Sequence, residues 1–462
     1  SRGLGDVYKR QRLLTAIDQL FILLENRNQP MHIGGLFLFE IPDGASDTFV
    51  SDLVQQMVTQ KTPPSFPFNQ VLYHLAWWKT DENFEIDHHF RHIALPKPAR
   101  IRELLTYVSQ EHSKLLNRAK PMWECHIIEG IEGNRFALYF KIHHSMVDGI
   151  AAIRLVKKSL SESPTERISL PIWSLMTRHR HQLDALIPED KSLLRVVKEQ
   201  ALAIPPAIKA LGKNVVERFH KDYITTTQAP DSPLNQPVSS SRRISAQSYE
   251  LIRFQTIAKH YAVTVNDVIL AICSGALRRY LLDINGLPKK PLIAFVPLSL
   301  RGDNDSASQH VGNQITFILA NLATHLADPV ARLKTINGST KNSKKRFSRM
   351  KQASSIIYSG VAYSRSGLQV LTGLFPDYRG FNLIISNVPG SHQPLYWQGA
   401  KLQALYPASI VLNDQAMNIT LCTYVDKIEF CIVTCSQILP HSQRLLTYME
   451  EEIKQFESLM SN

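Results

Sequence analysis

The chain has 462 residues, 44% of them hydrophobic, and a formal net charge of +12. That length is enough for two or three domains, each with its own core. No run approaches the roughly 18 apolar residues that a membrane span needs. The apolar run at 20–24 is too short for a signal-peptide core and is closed by Glu25, and five scattered cysteines make no disulfide framework, so a reducing cytoplasm is the expected compartment.

In chain order, residues 1–12 match no pattern, lack an initiator methionine and are left out of the fold reasoning. Apolar periodicity then predicts a strand at 34–41, helices at 46–59 and 101–116, and neighbouring strands at 126–129 and 135–143. A helix follows at 150–156. The stretch to 241 is rich in basic residues and in proline, including Pro188, Pro205, Pro206, Pro230, Pro233 and Pro237. It carries helical patches at 193–203 and 208–219. Structureless loops beyond ~15 residues are uncommon inside compact domains, so this stretch is expected to be a connection or lid with its own helices. Helices are then predicted at 249–261 and 265–282, and strands at 291–298, 315–319, 382–387, 416–424 and 430–437. A closing helix spans 442–456. The expected organisation is an N-terminal domain at 13–172, a basic helical linker at 173–241 and a C-terminal domain at 242–462.

The chemistry concentrates at Lys141-Ile142-His143-His144-Ser145-Met146-Val147-Asp148-Gly149. Phe136, Leu138, Phe140 and Ile142 alternate as one buried strand face would, and His143 continues the opposite series with Ala137, Tyr139 and Lys141. Adjacent strand side chains point to opposite faces, so the two histidines have different jobs. His144, nearer the loop, is assigned as a general base, and His143 as a structural or orienting residue. A neutral imidazole, with an unperturbed pKa of about 6.5, takes a proton from an alcohol near neutral pH, as acyl transfer requires. Asp148 holds the loop or fixes a tautomer, and Gly149 lets a substrate or a backbone come close. The spacing does not favour zinc: two adjacent strand histidines diverge, and there is no His-Glu-x-x-His or Cys-x-x-Cys, so no metal is expected. A second pair, His88-His89, shows how cheaply the dipeptide arises. No Gly-x-Ser-x-Gly elbow is present and no cysteine sits in a nucleophile motif.

His-His-x-x-x-Asp-Gly resembles the active-site motif of the coenzyme A-dependent acyltransferase superfamily, which includes chloramphenicol acetyltransferase and peptide-synthetase condensation domains. From Leu13 nearly to its end, the chain is similar to one branch, the bacterial wax ester synthase/diacylglycerol acyltransferases. The resemblance rests on ordered blocks. These are Ala16-Ile17-Asp18-Gln19-Leu20-Phe21 through Pro30-Met31-His32-Ile33-Gly34-Gly35, then Trp78, Asp81, Phe84, His89 and His92 before Leu95-Pro96, then Pro121-Met122-Trp123-Glu124. Downstream come Pro233-Leu234-Asn235, Asn266-Asp267-Val268, Val296-Pro297-Leu298-Ser299-Leu300-Arg301, Gly312-Asn313-Gln314 and Ser386-Asn387-Val388-Pro389-Gly390. Ser391 stands where the family usually has proline, which is expected to alter a turn and not the chemistry. Cys435-Ser436-Gln437 replaces a stretch that is often acidic.

The resemblance implies an α/β fold of two related chloramphenicol-acetyltransferase-like sandwich domains with mixed sheets and an active-site tunnel between them. It implies an O-acyltransferase joining a long-chain acyl-CoA to a fatty alcohol, giving a wax ester, or to diacylglycerol, giving triacylglycerol. Acyl-CoA is then a substrate, no resident cofactor is expected, and no acyl-enzyme is required. Asp148 becomes an architectural partner of an arginine, with a helix N-cap as the alternative. Asn266, in the family's Asn-Asp motif, and Asn387 are candidate oxyanion donors. A helix N-cap and an ordinary turn asparagine are their respective alternatives.

Basic residues cluster at 178–181, 209–221 and 341–351. They show no nucleic-acid-binding motif and no aromatic interleaving, so no nucleic-acid partner is expected. Coenzyme A phosphates and anionic lipid headgroups fit better, the latter drawing a basic face by about 1 kcal/mol per Lys or Arg. A plain solvated basic surface is the alternative. The expected location is cytoplasmic, peripheral to the cell membrane or to lipid droplets. An acyl-carrier-protein-dependent enzyme and a lipid-droplet coat protein are the competing functions.

Overall fold

The computed structural model describes residues 11–59, 62–147, 149–168, 171–175, 229–299, 315–348 and 380–461. The helical patches expected at 193–203 and 208–219 and the basic clusters at 178–181 and 209–221 lie outside the described residues, as do residues 349–351 of the third cluster. The first half runs β1 (Gln11–Leu13), α1 (Ala16–Leu24), β2 (His32–Glu40), α2 (Phe49–Thr59), β3 (Gln70–Tyr73), β4 (Trp77–Thr80), β5 (Phe90–Ala94), α3 (Ile101–His112), β6 (Trp123–Ile131), β7 (Arg135–His143) and α4 (Gly149–Ser159). The second half runs β8 (Arg242–Glu250), α5 (Leu251–His260), α6 (Val265–Asp283), β9 (Ile293–Ser299), β10 (Ile315–Asn321), α7 (Pro329–Ser348), β11 (Leu383–Val388), β12 (Tyr396–Trp397), β13 (Ala400–Ala408), β14 (Met417–Tyr424), β15 (Lys427–Cys435) and α8 (Arg444–Ser461).

Two six-stranded mixed sheets carry the fold, in the orders β12-β13-β2-β7-β6-β5 and β10-β9-β11-β14-β15-β8. In the first, only β5 and β6 are parallel; in the second, β11 runs parallel to both β9 and β14. A small sheet, β1-β4-β3, stands apart from both.

The expected division of the chain between 172 and 242 is not a clean boundary. β12 and β13 come from the second half, yet they complete the first sheet, with β13 antiparallel to β2 from Lys401 opposite Glu40 to Ala408 opposite Gly34. Without them β2 would be an open edge, with unpaired backbone donors and acceptors. Sequence periodicity also ran a helix through Tyr249, whereas Arg242–Glu250 is a strand paired along its length with β15 and the helix starts at Leu251. The apolar β15 supplies a partner that overrides the weak strand signal of a serine-rich segment.

α6 is buried on nearly every side from Asp267 to Leu277 because α5, α7 and α8 all pack against it. Its start is fixed by a capping box: Thr264 Oγ accepts from the Asp267 N–H at 3.2 Å, and the Asp267 carboxylate accepts from the Thr264 N–H at 3.1 Å. Asp267 also accepts from Thr340 Oγ at 2.6 Å and from Asn337 Nδ2 at 2.8 Å, tying α6 to α7. The aspartate of the Asn-Asp motif is thus a structural knot. No single helix among the described residues is long and apolar enough to cross a membrane.

Candidate active site

β7 is an interior strand between β2 and β6, and His143 is its last residue, in register with His32. The His143 N–H donates to the Met122 carbonyl at 2.9 Å, so the Pro-Met-Trp block positions the strand end. Past it the chain turns: the His144 N–H donates to the Met31 carbonyl at 2.9 Å, and α4 opens at Gly149. Asp148 lies outside the described residues. The alternation of β7 suggested one buried face, but both are buried. Tyr139, Lys141 and His143 are fully enclosed: α3 covers the first two, and Glu25 and Ser145 face the third.

That second face is polar, and its groups are paired. Lys141 Nζ donates to the carbonyls of Glu111 and Lys114 at 2.9 and 2.7 Å and lies 3.7 Å from Glu124. Burial pulls its ammonium down to about 8, against the opposing pull of Glu124 and Glu111. Glu111, Glu124 and His126 gather closely enough to suggest a cation site. However, Lys114 lies 2.6 Å from Glu111, and Arg91 lies 3.6 Å from both Glu111 and Glu124, so ammonium and guanidinium groups already answer these carboxylates.

His143 is held from both sides. Its Nδ1 accepts the Ser145 N–H at 3.2 Å and lies 2.6 Å from Ser145 Oγ. The ring proton therefore belongs on Nε2, which faces Glu25 Oε1 at 3.5 Å. Glu25 follows α1 and is itself buried. An acid at a helix C-terminus opposes the helix dipole. Here Arg118 Nε donates to it at 2.9 Å and the Met31 N–H at 3.2 Å. Burial raises the Glu25 carboxyl, but His143, Met31 and Arg118 together outweigh it and hold the pKa below the usual range. Arg118 also donates to the Ile22 carbonyl at 2.9 Å, closing the end of the helix.

His144 looks the other way, as adjacent strand-end residues should. Its ring stacks on Phe21 of α1, with centroids 4.1 Å apart and planes inclined by 23°. Both rings line a cavity of about 450 Å³ between the two sheets. Its lining is drawn from β2, β7 and β13 of the first sheet with α4, and from β9, β11 and β14 of the second sheet. Among the described residues, His144 is the sole histidine in a lining that is otherwise largely apolar.

The other predicted residues separate on this geometry. Gly149 lines the cavity, and a Cβ there would meet nothing within 4 Å. Asn387 also lines it, but sits in β11 and not in a turn. Gly390 is required by packing, since a Cβ would collide with the Thr423 carbonyl. Ser391, in the usual proline position, folds its hydroxyl back onto Gln393. Asn266 is in the first turn of α6; Thr264 takes the cap, the Asn266 Nδ2 is buried without a hydrogen-bond partner, and the residue does not line the cavity. His89, of the second pair, is buried and stacked on Phe84 and Trp123.

Sequence reasoning missed Phe21 and Glu25 as site residues, and also Asn418. Asn418 lines the cavity, donates to the Ile410 carbonyl at 2.9 Å and accepts from Thr420 Oγ at 2.8 Å. The one available signal was an acid closing an apolar run ahead of Pro30-Met31-His32.

Two family models match: the wax ester synthase/diacylglycerol acyltransferase catalytic domain over residues 14–269, and the corresponding C-terminal domain over 311–457. The chain belongs to this family. It is an enzyme, an O-acyltransferase. It is 54% identical to the O-acyltransferase WSD of Acinetobacter baylyi, over 97% of this chain and 98% of that one. It superposes on the wax ester synthase/diacylglycerol acyltransferase of Marinobacter aquaeolei VT8 with a TM-score of 0.80 at 40% identity, covering 97% of this chain and 100% of the other. A starter condensation domain of rhizomide synthetase shares the fold, with a TM-score of 0.55 at 12% identity, covering 100% of this chain and 97% of the other. The expected two-part α/β architecture with mixed sheets is therefore that of the family.

Proposed function

We propose that the enzyme transfers a long-chain acyl group directly from acyl-CoA to a fatty alcohol, to diacylglycerol or to both, with His144 as general base. The observation that carries this reading is an imidazole, the only one among the described lining residues, in the wall of a largely apolar cavity. As the acceptor oxygen attacks the thioester carbonyl, His144 takes the hydroxyl proton. The tetrahedral intermediate collapses, the carbon–sulfur bond breaks, and the imidazolium returns the proton to the departing thiolate. Asn387, which shares the cavity with His144, is the preferred oxyanion donor. An apolar cavity also disfavours water, which at roughly 55 M competes for the same thioester.

Acyl-CoA is a substrate in this scheme, and no resident cofactor is invoked. The test is purified enzyme with palmitoyl-CoA and either hexadecanol or dipalmitoylglycerol, with products resolved by thin-layer chromatography. Free acyl-CoA should suffice without a carrier protein. Double-reciprocal plots should intersect. Parallel plots, or a labelled acyl group trapped on the denatured protein, would replace direct transfer by an acyl-enzyme.

Peripheral contact with a lipid surface belongs to the same reading. It is supported by the net charge of +12 and by an exposed row in the small sheet. Leu13, Trp77 and Tyr73 are cross-strand neighbours at 55%, 39% and 37% exposure. Leu20 and Leu23 on α1 are exposed as well. Aromatic rings of this kind favour the membrane–water interface.

A further inference from the structure

The family reading gives the reacting base but does not say what supports it when it becomes charged. General-base catalysis turns a neutral imidazole into an imidazolium, and does so in a largely apolar cavity, where a cation is poorly solvated. Phe21 lies in the right place to answer this. Its ring is stacked on His144 at 4.1 Å and 23°, so the His144 ring faces the negative face of the benzene quadrupole. A neutral imidazole gains little there beyond dispersion. An imidazolium gains a cation–π attraction, which is larger in a desolvated site than at an exposed one. An interaction that strengthens as the proton is transferred lowers the barrier and leaves substrate binding nearly unchanged.

We propose that Phe21 is a positioning residue of the reaction, stacked on His144 so as to fix the plane of the imidazole and favour its protonated form. The inference rests on His144 being the base. The stack is held by its surroundings. The Glu25 N–H donates to the Phe21 carbonyl at 3.2 Å, Arg118 closes the next carbonyl, and the His144 backbone is tied to Met31, six residues after Glu25. The helix that carries the ring and the loop that carries the base are thus pinned to one another.

Several charged groups lie around the pair. Glu25 faces His143 and already has Arg118 as its partner. Lys141 and His32, on β7 and β2, are enclosed in the tier behind, and the positive charge of Lys141 works against a second cation. Asp148 follows in sequence, outside the described residues.

The experiment compares Phe21→Leu, Phe21→Tyr and a graded fluorinated phenylalanine series at position 21 in the full-length enzyme. Folding is checked by thermal melting. His144→Ala is carried alongside. Phe21→Leu keeps an apolar side chain but no π face; kcat should fall by about 3- to 30-fold, with KM for both substrates within about twofold. The apparent pKa governing kcat/KM should drop by about half a unit or more, because the imidazolium has lost its support. Phe21→Tyr should restore both values. Fluorination, which empties the ring face at nearly constant shape, should lower kcat progressively even if the leucine variant folds poorly. Wild-type kcat and an unmoved pH profile in the leucine variant, or indifference to fluorination, would overturn the proposal. An active His144→Ala variant would instead overturn the base assignment beneath it.

Discussion

Phe21 and Glu25 stand one helical turn apart at the end of α1, joined by a backbone hydrogen bond, and each engages a different member of the histidine pair. Phe21 stacks on His144, and Glu25 faces His143. One helix end thus addresses both halves of a dipeptide whose side chains diverge. Substitutions on α1 should therefore affect activity through the histidine pair.

Arg118→Ala would leave the buried Glu25 carboxylate without its guanidinium partner. Breaking a buried pair costs about 3–5 kcal/mol, but Arg118 is about one-third exposed, and solvent screening reduces the expected loss to about 1–3 kcal/mol. Chemical denaturation should show this loss together with reduced turnover. A variant as stable as wild type would mean that the Arg118–Glu25 contact carries no net energy.

His144→Ala should lower ester formation by about 10²- to 10⁴-fold at an unchanged melting temperature. His143→Ala should damage both stability and rate, since it empties a fully enclosed position. Retention of more than about a tenth of the wild-type rate by the His144 variant would refute its role as base.

Asp148→Asn tests an architectural role against a chemical one. If the acid shapes the loop, soluble yield and melting temperature should fall along with turnover. A fully stable, inactive variant would assign Asp148 to the chemistry itself.

Acid should destabilise the fold earlier than carboxylate titration alone predicts. His112 is driven down to about 3 by burial first and by Lys141 and Arg242 next, and burial pushes His32 well below its ordinary value. Both stay neutral in the folded protein, while the unfolded chain binds protons at about 6.5. Their contribution is complete above that pH and is lost as pH falls below it, for His112 down toward about 3, at up to about 1.4 kcal/mol per unit for each ring. Melting temperatures between pH 7.5 and 5 should fall accordingly, and His112→Gln should flatten the slope. A flat profile over that window would show that these rings bind protons while still folded.

Serine at Leu13, Tyr73 and Trp77 should weaken binding to phosphatidylcholine vesicles that high salt does not disrupt. Turnover of a short, water-soluble alcohol should be spared. Electrostatic attraction is screened as the Debye length shortens from about 10 Å at 0.1 M salt to about 3 Å at 1 M, so the salt-sensitive fraction of binding measures the basic surface separately. Equal vesicle binding by the triple variant would remove this row from the lipid contact.

Much of the fold was legible because its strongest elements repeat on a short period. β7, α6, β14 and β15 could be placed from apolar spacing alone. β8 and β13 could not, because their pairing partners come from distant sequence and their own residues are mixed. The histidine motif marked the site, and family blocks named the chemistry. Glu25 and Phe21 escaped because an acid or a phenylalanine at the end of an apolar helix has no local signature; their meaning comes from a strand more than a hundred residues away. The buried polar tier of β7 was hidden for the same reason, since alternation reads as a solvated face unless a covering helix is known.

The insertion of β13 beside β2 also sets an order of assembly. As the chain leaves the ribosome, residues 13–172 cannot finish their sheet; β2 waits for a partner that is made only when residue 408 is reached. Leu405, Pro407 and Ala408 of that late partner line the cavity with His144, so the catalytic site is completed late. A chain cut before Tyr396 should expose a long apolar edge and recruit other chains to it. Two halves supplied separately should regain activity only by exchanging a strand, which makes the catalytic site a checkpoint for synthesis past residue 408.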